Sequence, residues 1–260
     1  TVWSWGINCY GQLGINNGTN SNVAVQVKDT TGSGVLIDIC DITTQGYTAH
    51  ALTHSGEVYG WGYNYNGEVG MGSRSTASGL GRGIKLPRKV SINGVVKIVG
   101  GHYHTLALKN DGTVWSWGLN RYGTLGYGSS STSSSNANYS KTTQIQVKID
   151  ADTYLTDVID IGGTLETGYA ITSDGVAYGW GLNTEGQIGD NTSANKVYAT
   201  KAVGRYLSEI DKIVKLQSSS ASSYTSYLVK EDGSIYCNGR SSKGQLLDGN
   251  AGYSTRTYAE

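Results

Sequence analysis

One phrase of ten residues constrains this chain more than anything else in it, because it returns at nearly even intervals. WGINCYGQLG begins at Trp5, WGYNYNGEVG at Trp61, WGLNRYGTLG at Trp117 and WGLNTEGQIG at Trp180, and an eroded copy, NGRSSKGQLL, begins at Asn238. The steps between these anchors are 56, 56, 63 and 58 residues. Such a period is too long for a tetratricopeptide or ankyrin unit and marks an array of larger supersecondary modules. The expectation is a single repeat domain over 1–260, with units at approximately 1–56, 57–112, 113–175 and 176–233 and a partial unit at 234–260.

Each unit has the same internal order. A strand such as TLALKNDG (105–112) or YAITSDG (169–175) ends in a glycine, at 56, 112, 175 and 233. Asp-Gly between apolar strands signals a hairpin, with positive φ expected at both central residues of a type I′ turn. The return strand, TVWSWG or EVYGWG, alternates its large residues, so Trp115 and Trp117, or Tyr59 and Trp61, share one core-facing side. After the tryptophan, a glycine permits a sharp exit, and Asn8, Asn64, Asn120 and Asn183 can satisfy loop backbone groups; Ser241 stands there in the last copy. Two more short strands follow, such as IQVKI (145–149) and VIDIGG (158–163). Four strands in 55–60 residues, without helical periodicity, is the arithmetic of a β-propeller blade. The fold expected is all-β: four-stranded antiparallel blades, four complete units plus a partial one, with the W-G strand at the inner edge. Trp61, Trp117 and Trp180 are expected in the blade cores, and the unit with Asn238 is expected to be the least stable.

The elements G-x-x-H-T-L-A-L, D-G-x-V-W-S-W-G and N-x-x-G-x-L-G, in that order from Gly101 to Gly126, resemble the repeats of the regulator of chromosome condensation family. The resemblance runs over essentially the whole chain, whereas WD-repeat and kelch signatures do not recur. It implies a β-propeller, commonly of seven blades, and leaves function open, since one fold hosts many. Because Thr1 aligns with Thr113, just past a hairpin turn, the chain is expected to belong to a ring of six or seven units. The alternative is a five-unit ring closed by pairing residues near 2–5 with residues near 255–258.

Composition bounds the function. Only 15% of the residues are charged, the formal net charge is zero, and Tyr occurs 19 times while Phe is absent. A neutral chain has no global footprint for nucleic acid or an anionic membrane, and no run is long and apolar enough for a membrane span. Cys9, Cys40 and Cys237 are scattered and odd in number, which suits free structural thiols better than a disulfide framework. The Tyr-, Ser-, Asn- and Gly-rich loops favour an extracellular, cell or virion surface. Sequons at Asn17, Asn138 and Asn191 fall in loops and carry no further argument.

His102 and His104 form an H-x-H pair on a strand, but Thr48, Thr167 and Thr225 hold the position of His104 elsewhere, which points to hydrogen bonding rather than to a metal. No nucleophile elbow or phosphate-binding loop occurs, and no cofactor, metal site, small-molecule substrate or enzymatic activity is expected. Between Ser73 and Ile98 the charges are Arg74, Arg82, Lys85, Arg88, Lys89 and Lys97, read as a solvated stretch rather than a nucleic-acid patch. The informative variation lies inside the constant loop frame, where Tyr10, Tyr65, Arg121, Tyr122, Glu185 and Lys243 stand. Tyr and Arg are enriched at binding hot spots, and variable loops on a rigid scaffold commonly build binding surfaces. The function expected is a non-enzymatic protein-interaction or scaffold module. The alternatives are a guanine-nucleotide exchange factor for a small GTPase, which the name-giving family member implies, and a structural component of a cell surface, filament or virion.

Overall fold

A computed structural model describes residues 1–76, 79, 83–131, 139–203, 212–218, 224–242, 245–246 and 255–257. Among these, the strands form five antiparallel sheets in chain order. The first holds β1 (Trp3–Gly6) and β2 (Ser21–Gln26). The second runs β3 (Ile39–Gln45), β4 (Thr48–Thr53), β5 (Val58–Tyr63) and β6 (Gly83–Lys89). The third has β7 (Val95–Gly100), β8 (His104–Lys109), β9 (Val114–Gly118) and β10 (Lys141–Gln146). The fourth consists of β11 (Val158–Gly163), β12 (Thr167–Thr172), β13 (Ala177–Gly181) and β14 (Lys196–Lys201). In the fifth are β15 (Ile213–Ser218), β16 (Thr225–Lys230), β17 (Ile235–Arg240) and β18 (Thr255–Arg256). No helix among the described residues is long and apolar enough to cross a membrane.

Each four-stranded sheet is a simple meander, and its first strand lies against the first strand of the next sheet. The Thr43 hydroxyl on β3 accepts from Gly100 N on β7, and Asp160 on β11 joins Lys97 on β7 to Leu216 N on β15. β3, β7, β11 and β15 therefore line the axis. This corrects the placement of the W-G strand: β5, β9, β13 and β17 are third in their sheets, inside the meander rather than at its inner edge. A strand with partners on both sides satisfies both rows of backbone groups, which suits the strand that carries the buried tryptophan. Each axial strand also has a register shift at its start, after which stand Asp41, Lys97, Asp160 and Lys215, alternating in sign from sheet to sheet.

The hairpins differ from expectation in one detail. Positive φ occurs at Gly56, Gly112, Gly175 and Gly233 but not at the residue before any of them. Gly112 N donates to Lys109 O and Lys109 N to Thr113 O. That is a three-residue loop, a turn followed by a left-handed glycine, in which only one position needs positive φ.

The core lies between sheets. Trp61 packs with Val2, Val27 and Leu36 of the first sheet and its β2–β3 connection, Trp117 with Leu52, Val58, Val90 and Ile92 of the second and its β6–β7 connection, and Trp180 with Leu106, Leu108, Val114 and Val147 of the third. All three are buried as expected. Each indole Nε1 donates to a loop carbonyl of the preceding sheet: Trp61 to Gln12 O at 2.9 Å, Trp117 to Glu68 O at 3.0 Å and Trp180 to Thr124 O at 3.0 Å. Trp5, on β1, has no preceding sheet among the described residues and is 67% exposed.

Candidate interaction face

The loop after each W-G strand is built around its asparagine, which is fully buried. Asn64 Oδ1 accepts from Val69 N, Asn120 Oδ1 from Leu125 N and Asn183 Oδ1 from Ile188 N, while their Nδ2 atoms donate to carbonyls nine residues on. The glycine before it makes this possible: Gly118 has φ +100°, and a Cβ there would stand 2.5 Å from Tyr103 O. Ser241 keeps half of the arrangement, its Oγ accepting from Leu246 N.

On this rigid frame, the variable residues come together in part. Tyr10 lies 5.1 Å from Tyr47 and 5.0 Å from Tyr63, ring centroid to centroid and edge to face. Tyr63 in turn lies 6.5 Å from Tyr65 and 6.0 Å from Tyr103, and His102 lies 3.9 Å from Tyr103. Five phenols and an imidazole from the first three sheets thus form one patch, Tyr47 exposed and the others half-buried. Burial pushes the Tyr103 phenol up, helped by the fields of Tyr47, Glu68, Tyr10 and Glu166. Next along the face, the Arg121 guanidinium sits 4.7 Å from the Tyr122 ring and 3.2 Å from the Glu166 carboxylate. Glu185 is half-buried on the fourth sheet's loop, where its backbone N donates to Gln187 Oε1. Lys243 lies outside the described residues. Sequence reasoning missed Tyr47, Tyr63, Tyr103 and Glu166, and it singles out His102 only as half of an H-x-H pair. They flank the loop frame instead of sitting inside it, but Tyr47, Tyr103 and Glu166 occupy one repeat position, and that variation was there to be read.

The H-x-H pair divides. His102 belongs to the patch, whereas His104 is buried and its Nε2 finds no partner. Thr48, Thr167 and Thr225 at the same repeat position do hydrogen-bond as expected, each donating at 2.8 Å to the carbonyl after the W-G glycine. In the third sheet that carbonyl, Leu119 O, takes its bond from Thr124 instead, which frees the position for a histidine. Among the described residues, no three of His, Cys, Asp and Glu are arranged to hold a metal ion. Cys9, Cys40 and Cys237 are thiols in no disulfide, and the Cys237 Sγ donates to Leu246 O. The basic stretch disperses: Lys89 pairs with Glu57 and Lys97 with Asp160, and Arg82 lies outside the described residues.

Beneath the patch is an acidic group of unusual character. Glu68 is buried, its carboxylate accepting from Asn66 N at 2.8 Å and Asn66 Nδ2 at 2.7 Å, and burial pushes its pKa up to about 7. Gln12 and Gln187 occupy the same repeat position and cap their loops with an amide oxygen in the same way. Burial holds His50 and His104 down at about 4.

A meander of four-stranded sheets around an axis, locked by cross-sheet indole bonds and displaying its variable loops on one face, defines a β-propeller of the repeat class. Repeats of the regulator of chromosome condensation type lie within it: residues 55–108 and 111–144 match the family model "Regulator of chromosome condensation (RCC1) repeat", and residues 95–124 match a second model of that repeat. The chain is 28% identical over 250 residues to the ultraviolet-B receptor UVR8 of Arabidopsis thaliana, covering 94% of this chain and 50% of that protein. With the probable E3 ubiquitin-protein ligase HERC6 of Homo sapiens it shares 27% identity over 94% of this chain and 22% of the ligase. The chain thus spans half or less of the length of these relatives. Among solved structures, human WBSCR16 superposes with a TM-score of 0.75 at 16% identity, covering 99% of this chain and 66% of that one. Prp20p of Saccharomyces cerevisiae gives 0.73 at 19% identity over 99% and 57%. At these identities the structures establish the fold.

Proposed function

We propose that this propeller is a non-enzymatic protein-interaction module whose partner docks on the loop face centred on Tyr63. The observation that carries this reading is the patch of Tyr10, Tyr47, Tyr63, Tyr65, Tyr103 and His102, contributed by separate sheets and held in place by buried asparagines. Rigid aromatic side chains give large contact area at low entropic cost, which is why they dominate binding hot spots. Proteins of the same fold bind other proteins: Prp20p was characterised for binding to Gsp1p and histones, and it was crystallised with Kap60 bound.

The test is a titration of a partner identified by affinity capture with the unmodified chain. Tyr10→Ala with Tyr63→Ala and Tyr103→Ala lowers its affinity at least tenfold, and Arg121→Ala with Tyr122→Ala lowers it less. The single Tyr→Ala changes leave the unfolding midpoint within a few degrees. Unaltered affinity moves the interface off this face. Release of bound nucleotide from a small GTPase at catalytic amounts of the chain would replace this reading with that of an exchange factor.

A further inference from the structure

Under Tyr103 and His102, a cleft opens between the second and third sheets, lined by Thr43, Thr48, His50, Glu68 and the segment 100–105. Its volume is about 10 Å³, room for one water-sized group. Its polar walls offer acceptors. The Thr48 hydroxyl already donates to Tyr63 O and keeps its lone pairs free to accept, and Glu68 brings a carboxylate. His50 and His104 are neutral at pH 7; the His50 ring meets the backbone carbonyls of Val69 and Glu68, and the buried His104 Nε2 has no hydrogen-bond partner. A neutral imidazole carries one lone pair, so the His104 Nε2 can accept. The field of Arg74 reaches Glu68, yet the carboxyl remains raised.

We infer that this cleft receives the ε-ammonium group of a lysine carried by the protein that docks on the tyrosine face, an inference that rests on the interaction reading above. An ammonium is water-sized and has three donors and no acceptor, which complements a cleft lined by acceptors. A guanidinium is planar, with five donors, and exceeds the space. A metal ion needs ligands closer than these residues stand, as no three of them converge on a metal position. The rings above extend the fit, because Tyr faces attract cations, and the lysine stem packs against them. The chain already shows the same chemistry within itself at Arg121, held between the Tyr122 ring and the Glu166 carboxylate.

The repeats supply test variants suited to folding. Glu68→Gln places there the residue found at 12 and 187, and His104→Thr the residue found at 48, 167 and 225. The probe is the capped tripeptide Gly-Lys-Gly, with norleucine and Nε-trimethyl-lysine versions as controls, followed by NMR of the His50 and His104 imidazoles and the Trp117 indole. The lysine peptide gives saturable shifts, the two controls give none, and both variants weaken the binding at least tenfold while still unfolding in one cooperative transition. Equal shifts with norleucine, no shift with lysine, or undiminished binding by Glu68→Gln overturns the inference. With the captured partner, the two readings separate. If the tyrosine variants weaken binding and Glu68→Gln does not, the lysine slot is wrong and the interaction face stands; if neither weakens it, both fall.

Discussion

The junction between the third and fourth sheets and the one between the fourth and fifth meet the same demand with unlike side chains. At the first, Trp180 on β13 fills the space between the sheets and donates its indole proton to Thr124 O. At the second, Asn238 on β17 stands in the tryptophan position, a far smaller side chain, yet its Nδ2 donates to the corresponding carbonyl, Gln187 O. Two more donors converge there, Tyr169 OH at 2.9 Å and Ser226 Oγ at 3.1 Å. Ser226 stands where the fourth sheet has Gly168, whose hypothetical Cβ would come within 2.5 Å of the Trp180 ring. The hydrogen bond across the junction is the constant, and the apolar filling is the variable. The polar solution is the less complete one, since Gln187 Nε2 is buried without a partner.

The largest effect expected separates the two junctions directly. Trp180→Ala removes about 3–5 kcal/mol by opening a cavity, whereas Asn238→Ala removes about 1 kcal/mol because two donors still serve Gln187 O; urea denaturation of both variants measures the gap, and equal losses would break the comparison. The second prediction extends it to Trp117, whose acceptor carbonyl belongs to the titratable Glu68. The folded pKa of Glu68 is raised from 4.5 to about 7, so its contribution is fully present below pH 4.5 and is lost as pH rises to 7. Glu68→Gln therefore gains stability relative to the native chain at pH 8, by roughly 3 kcal/mol if the whole shift reports on folding. His50 and His104, depressed from 6.5 to about 4, act oppositely: their contribution is present above pH 6.5 and is lost towards pH 4. The variant should accordingly fall more steeply with acid, and parallel denaturation curves at pH 5 and 8 would refute the assignment. Third, amide exchange in β17 runs about tenfold faster than in β13, a difference of about 1.4 kcal/mol in local opening; slower exchange in β17 reverses the ranking of the junctions. The smallest effect is Tyr169→Phe, at about 0.5–1 kcal/mol. Combined with Ser226→Ala it should cost more than the sum of the two single changes, as expected for donors sharing one acceptor.

The sequence disclosed most where the determinants are local. The W-G-x-N-x-x-G loop could be read because its glycine and asparagine act within a few residues of themselves, and the hairpins because a glycine must follow the turn. The turn type escaped, since Asp-Gly suits both a two-residue loop and a three-residue loop with a single left-handed glycine. Which strand faces the axis was not legible either. That depends on contacts such as Thr43 to Gly100 and Lys97 to Asp160, which join residues 57 and 63 positions apart. The candidate face was half legible: Tyr10 and Tyr65 vary inside a fixed frame, but Tyr63 and Tyr103 reach them only through the packing of separate sheets. His104 shows the limit of arguing by repeat position, since its threonine counterparts make a bond that here passes to Thr124.

The staggering of repeat and sheet has a genetic corollary. Any segment running from just after one hairpin glycine to the next, such as 113–175, supplies the last two strands of one sheet and the first two of the following one. Excising that segment would bring β7 and β8 into line with β13 and β14, a four-stranded meander in the same order with its hairpin turn intact. Duplicating it would insert a whole extra sheet by the same logic. Unequal crossing-over at these glycine codons thus changes the number of blades without ever leaving half a sheet behind, so the gene can lengthen or shorten the array while each product keeps every internal strand paired.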